Sequence, residues 1–399
     1  MFDVNAFVWS LCTYDKEEVW FIGCHINALF KLDIKQGRYK FITEFPDSDI
    51  QKMRAHTVCH KYKDSIFCFA DNGDSTLVYD LKNGSFTKVR MNNEPHVKME
   101  ILGVYEYNER LYAVSGGLKQ VIEIDIKSRE VTGYYPLPIQ GTVKSMETEC
   151  ICVDNCIYCG GVDSNYLYEF NLITKNTVSY EIPQIDGGIY TICCKKPWFW
   201  FSGKKKEIYV WNILTREIQI VDEFPEGFGV YMVGGTVNCD FDKAELPVFK
   251  ASLCIGNKVW FIPWQTNKIL YMDKQTGEIE EFPLEDEVEN AKSWARPAGL
   301  RNKYFIEYVL GDMCIGLYSQ KNNCIYEINT VDFSALKRNY ILDADSKAAF
   351  QNALLQTKEC VQAEEREEDF KSFMKLCTQF GKYVRRTEQV GFRIFEKVK

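Results

Sequence analysis

The side chains that can move protons, hold metals or stack on ligands are few in this chain of 399 residues. Its four histidines are His25, His56, His60 and His96. His56 lies close to Arg54, and His96 close to Lys98. A histidine pair on neighbouring elements can bind a metal or work as acid and base. Glu100 and Glu147 would have to converge with them. The favoured reading is plainer: two exposed loop histidines. Cys156-x-x-Cys159 has the spacing of half a zinc site or a redox pair. In a strand, however, residues i and i+3 point to opposite faces, so one ion does not easily take both. Adjacent Cys193 and Cys194 face apart for the same reason. Trp264, beside Gln265 and Asn267, reads first as core, like most aromatics of this chain, with stacking on a sugar or another ring as the sharper alternative. Trp198 and Trp200 share one strand face and read as core. Lys204, Lys205 and Lys206 read as an ordinary hairpin tip. The chain has no P-loop, GxSxG, HExxH, EF-hand loop or GxGxxG opening a helix. No catalytic residue, metal or cofactor is therefore assigned.

The elements that would position these groups repeat along the chain. Cys156–Pro183 reads CIYCGGVDSNYLYEFNLITKNTVSYEIP, with two β-runs joined by a Gly-Gly loop, a turn, and a third run. Related copies occupy Val19–Pro46, Ser65–Val89, Leu111–Pro136, Trp198–Pro225, Val259–Pro283 and Met313–Ile341. Each has an acid or amide just before a turn: Asp33, Asp80, Asp125, Asn171, Asn212, Asp273 and Asn329. These markers lie 47, 45, 46, 41, 61 and 56 residues apart. A period in the forties with several short strands per unit is the signature of a β-propeller. An apolar run upstream of each copy supplies an inner strand, beginning with Phe7–Ser10. The expectation is an all-β, seven-bladed β-propeller of four-stranded antiparallel blades over residues 1–342. The marker acids bond backbone two residues on, so they are structural. Gly37, Gly84 and Gly277 supply positive φ.

Composition agrees with this fold and narrows the function. Hydrophobic content of 46% and charged content of 26% are globular values. Aromatics at 14% favour strands. A net charge of −8 argues against a general nucleic-acid binder, whose surface needs excess Lys and Arg. The start, MFDVNAFVWS, lacks the basic region of a signal peptide, and no apolar run is long enough to span a bilayer. The expected location is the cytoplasm, with no membrane insertion. In that setting most of the 16 cysteines act as small hydrophobes in strands rather than as a disulfide framework.

The copies LYAVSGG…VIEIDIKSREV and IYCGG…YLYEFNLITKNTV resemble kelch blades, with Gly116-Gly117 and Gly160-Gly161 after the second strand. YMDKQTGEIEEFP is similar to the repeat of streptogramin-lyase-type bacterial propellers. The resemblance covers roughly residues 6 to 342. The tryptophan usual in the kelch outer strand is absent, with Val131 and Val178 standing near its place. Streptogramin lyases are understood to use histidine, an acid and a divalent metal in later blades. This chain has no histidine after position 96, so that chemistry is not transferred.

After Leu342 the character changes. Asp343 or Asp345 is placed to cap a helix through Val361. A second apolar stripe, from Phe370 to Val384, traces one helical face. Residues 343–399 are expected to form an α-helical tail that packs on the propeller or docks a partner. Two long connections, Pro225–Pro247 and Pro283–Asn302, fall on one face of the ring. That face, near blades 6 and 7, is the expected site, with Arg54, His56, His96, Lys98, Trp264, Trp294, Arg296 and Arg301 as the ligand-binding residues. The leading expectation is a non-catalytic interaction platform for a protein partner. The alternatives are a lyase or hydrolase acting on a glycan, peptide or small cyclic substrate, or a carbohydrate-binding module.

Overall fold

The structure, a computed structural model, describes residues 13–362 apart from 16–17, 24–26, 47–54, 72, 74, 92–97, 140–148, 162, 232–236, 239–246, 265, 285–303, 312, 320–321 and 323. Seven four-stranded antiparallel sheets form the blades of a propeller ring. Blade 1 comprises Thr13–Asp15, Glu18–Ile22, Ala28–Asp33 and Arg38–Glu44, and blade 2 runs from His56 to Arg90. Blade 3 spans Ile101–Pro136, blade 4 Cys150–Glu181 and blade 5 Thr191–Val221. Blade 6 spans Phe249–Phe282 and blade 7 Tyr304–Asn339.

Burial along each blade follows from stacking. Second strands such as Ser65–Ala70 and Lys258–Pro263 are apolar on both faces because a neighbouring blade covers each one. Outer strands alternate instead, as in Glu130–Pro136, where every second residue is exposed. Among the described residues seven apolar clusters result, one between each pair of adjacent blades. The inner strand of blade 5 shows the alternation directly. Ile192 and Cys194 pack toward blade 4, whereas Cys193 packs toward blade 6. Cys156 and Cys159 likewise join different clusters, as strand geometry requires.

The turn after each third strand is built the same way seven times. The marker side chain accepts backbone N–H groups two or three residues ahead: Gln36 on Asp33, Lys82 on Asp80 and Lys127 on Asp125. The same holds for Ile173 on Asn171, Leu214 on Asn212, Gln275 on Asp273 and Val331 on Asn329. Four residues past each marker the backbone is left-handed. Gly37, Gly84 and Gly277 take that conformation freely, as expected, but Arg129, Lys175, Arg216 and Phe333 take it too. Those four long side chains reach back to the preceding blade. Arg129 donates to Thr87, Lys175 to Glu123, Arg216 covers the Tyr180 ring, and Phe333 packs on Trp260 and Tyr271. Contact with the neighbouring blade offsets the cost of the conformation.

Ring closure differs from the sequence reading in one respect. The inner strand of blade 1 is Thr13–Asp15, with Asp15 paired to Glu18 across the turn. Phe7–Ser10, the inner strand expected from the sequence, lies outside the described residues. After blade 7 the chain crosses to blade 1, where Ile341–Leu342 pairs in parallel with Arg38 and Tyr39. Tyr340 lies between Tyr39, on which it stacks, and Tyr318, to which it is tilted, at ring distances of 4.5 and 4.7 Å. The helix Ala344–Gln362 follows, with Asp345 in its first turn. Its Phe350 packs on Phe30 and Phe41 at 5.8 and 5.3 Å, on the side of the ring. The stripe at 370–384 lies outside the described residues.

Candidate functional site

In each blade, the loop between second and third strands emerges on the same face as the connection from the preceding outer strand, because antiparallel strands reverse at every turn. On that face, blades 4 to 6 bring together a carboxylate, an ammonium and two aromatic rings.

Glu149 precedes the inner strand of blade 4 and is anchored by its own N–H, which donates to the Tyr190 carbonyl at 2.8 Å. Its carboxylate Oε2 accepts the Ile192 N–H of blade 5 at 3.3 Å and the Ser252 N–H of blade 6 at 3.2 Å. One side chain thus ties together the inner strands of three blades. The residue keeps part of its surface open to solvent while protein surrounds its carboxyl. Burial pushes its pKa up to about 8, against the opposing pull of the two N–H bonds and of Lys250. Near neutral pH it is largely a protonated acid with an O–H to donate.

Lys250 comes from the inner strand of blade 6, and its Nζ lies 4.9 Å from the Trp264 ring and 6.0 Å from Tyr190. The Tyr190 and Trp264 rings are 4.9 Å apart and tilted. Trp264 is held by its N–H to the Val248 carbonyl, in the lead-in to the same inner strand. The first long connection docks here as well. Gly229 N–H donates to the Asn267 side chain at 3.0 Å, and Val230 bridges Thr266. The group offers the partly exposed Trp264 ring, a cation and a neutral acid, the mix that binds a planar or polar ligand.

Among the described residues, Trp264 is the one sequence-nominated residue in this group. His56 sits at the head of the blade 2 inner strand, its Nδ1 3.0 Å from Asn27 Oδ1 and its ring against Phe45. Lys98 pairs with the buried Glu100 at 2.8 Å. The Asp71 backbone stitches that locality together: its N–H donates to Ala55, and its carbonyl accepts from Met99 and Glu100. These residues belong to blades 2 and 3, away from the Glu149 anchors on blades 5 and 6. Arg54, His96, Trp294, Arg296, Arg301 and Glu147 lie outside the described residues. Lys204 pairs with Asp163, Lys205 with Asp186, and Lys206 covers Phe224, so this run is the bland surface it resembled. Trp200 is core, but Trp198, the first residue of its strand, is 39% exposed and is not the core residue expected. Sequence reasoning missed Glu149, Lys250 and Tyr190. Lys250 had a readable signal: a charge interrupting the apolar inner run of blade 6.

No protein-family model matches this chain, and no curated protein matches it by sequence. Solved structures do. A streptogramin B lyase structure aligns at a TM-score of 0.52 and 16% identity, over 77% of this chain and 89% of that one. A computationally designed protein aligns at 0.52 and 12% identity, over 82% of this chain and 84% of that one. A chain of a mitotic checkpoint complex aligns at 0.50 and 10% identity, over 84% and 89%. At such identities the likeness establishes the propeller fold alone and does not separate a kelch-like repeat from other propeller repeats.

Proposed function

We propose that this chain is a binding propeller that receives a ligand or a protein segment at the channel mouth of blades 4 to 6. The observation that carries the reading is the convergence of Glu149, Lys250, Tyr190 and Trp264 from three blades on the face that also bears the long connections. A rigid ring presenting converged side chains beside long loops is the usual geometry of propeller recognition. Trp264 supplies stacking area, Lys250 an anionic or carbonyl contact, and Glu149 a donor. The helical segment from residue 343 is an accessory element of the same platform.

The test compares the full chain with Lys250→Ala/Trp264→Ala in pull-downs from source-cell lysate, and in thermal-shift titrations against panels of peptides and sugars. Binding by the parent chain that falls at least tenfold in the double variant, with folding unchanged, supports the reading. Equal binding by both moves the site off this channel mouth.

A second reading rests on Glu149 itself. A carboxyl that keeps its proton to about pH 8 is suited to general-acid chemistry on a bound substrate. Turnover of a glycan, peptide or cyclic substrate that is lost in Glu149→Gln would favour a lyase or hydrolase over a platform.

A further inference from the structure

We propose that Cys193 and Cys254 form a peroxide-driven disulfide that links blade 5 to blade 6. The two residues are 61 positions apart in the chain, yet their sulfurs lie 3.4 Å from each other across the blade interface. Strand alternation brings them there. Cys193 is the residue of the blade 5 inner strand that turns toward blade 6, and Cys254 faces it from the blade 6 inner strand. A shift of little more than an ångström reaches the bonded separation of about 2.05 Å. Neither backbone need leave its sheet, since the two inner strands already run side by side.

The partners differ in the way that a two-step oxidation requires. Cys254 is partly open to solvent, and the hydrogen bond with the Cys193 thiol, then the nearby Lys274 and Lys195, favour its thiolate against the opposing pull of burial. Lys274 is held in place by donating to the Gly256 carbonyl at 2.9 Å. Cys193 is buried, and burial keeps it a thiol. The Cys254 thiolate attacks a peroxide oxygen, the O–O bond breaks, and hydroxide leaves as the sulfur becomes a sulfenic acid. Cys193 then loses its proton and attacks the Cys254 sulfur, displacing the sulfenic oxygen as hydroxide. In sum, two thiols and one hydrogen peroxide give one disulfide and two waters. Along the chain the oxidised bridge lies one residue from Ile192 and two from Ser252, whose N–H groups hold Glu149.

The test treats the folded full chain with equimolar hydrogen peroxide, blocks remaining thiols, and digests without reductant. The expected product is a peptide carrying Cys193 joined to a peptide carrying Cys254, two hydrogen masses below their sum and released by dithiothreitol. Fragment ions between positions 193 and 194 assign the bridge to Cys193 rather than Cys194. A second measurement needs no bridge to form: in Cys193→Ser, a sulfenic-acid trap such as dimedone should accumulate on Cys254. Alkylation of both Cys193 and Cys254 in the oxidised parent chain, or a bridge that instead uses Cys194, overturns the proposal. So does a Cys193→Ser protein whose Cys254 takes up dimedone no faster than its other cysteines.

Discussion

Two carboxylates with opposite displacements show how much a single side chain owes to its surroundings. Glu149 holds its proton in the folded chain to about pH 8 but releases it near the ordinary value of 4.5 when unfolded. Between those values the folded state binds more protons, so Glu149 makes stability fall as pH rises from about 4.5 to 8 and then level off. Glu149→Gln should remove that decline, worth on the order of 1–3 kcal/mol once contact with channel water is allowed for; urea midpoints across the pH range would show it. Glu123 behaves oppositely. Burial alone would raise its pKa, but hydrogen bonds from Lys175, Thr132 and Tyr112 hold it down to about 2. Its contribution is present above 4.5 and fades as pH falls toward 2. Lys175→Met should cost about 2 kcal/mol at pH 7, because Arg110 still reaches Glu123 at 2.5 Å, and the gap from the parent chain should close in acid. Neither displacement was legible in the sequence, since both depend on strands brought together from different blades.

At the scale of the element, the turn after each third strand was legible almost completely. An Asp or Asn at a fixed place announces its own hydrogen bonds, and the interaction spans only a few residues. Asn212→Ala should cost about 1 kcal/mol by leaving the Leu214 and Thr215 N–H groups without their acceptor, read from the denaturation midpoint. What a local reading could not supply was the use of the left-handed position by Arg129, Lys175, Arg216 and Phe333, whose reward lies on the preceding blade. The glycines at this register are not equivalent either. A Cβ on Gly277 would meet little beyond the Gln219 side chain at 4.0 Å, so Gly277→Ala should cost only the strain of its positive φ, about 1 kcal/mol. A Cβ on Gly37 would fall 2.1 Å from the Asn339 carbonyl oxygen. Gly37→Ala should cost about 3 kcal/mol or more by forcing blades 1 and 7 apart; thermal unfolding of the pair separates the two cases.

Over the whole molecule, the blade count and the repeat boundaries were readable because each unit carries its own period. The site was not, because its members come from lead-ins and loops that no period marks. The seam was half readable: a helix after the last blade was anticipated, the crossing strand was not. Tyr340→Ala should cost about 3–5 kcal/mol, since the ring packs against both Tyr39 and Tyr318 where the circle joins. Calorimetry would register the loss as a lower and broader transition.

That seam also has a history in time. The Arg338 guanidinium donates to the Lys35 carbonyl across 303 positions of chain. On a ribosome adding roughly 5–20 residues per second, Arg38–Glu44 therefore waits roughly 15–60 s for the strand that will cover its edge. Throughout that wait the nascent protein is an open arc with an unpaired strand at its first end, the kind of edge that recruits strands from other chains. Arg38 and Lys40 on this strand place positive charge along that edge, so a charge-removing variant of the pair should aggregate during synthesis while remaining sound once the circle has closed.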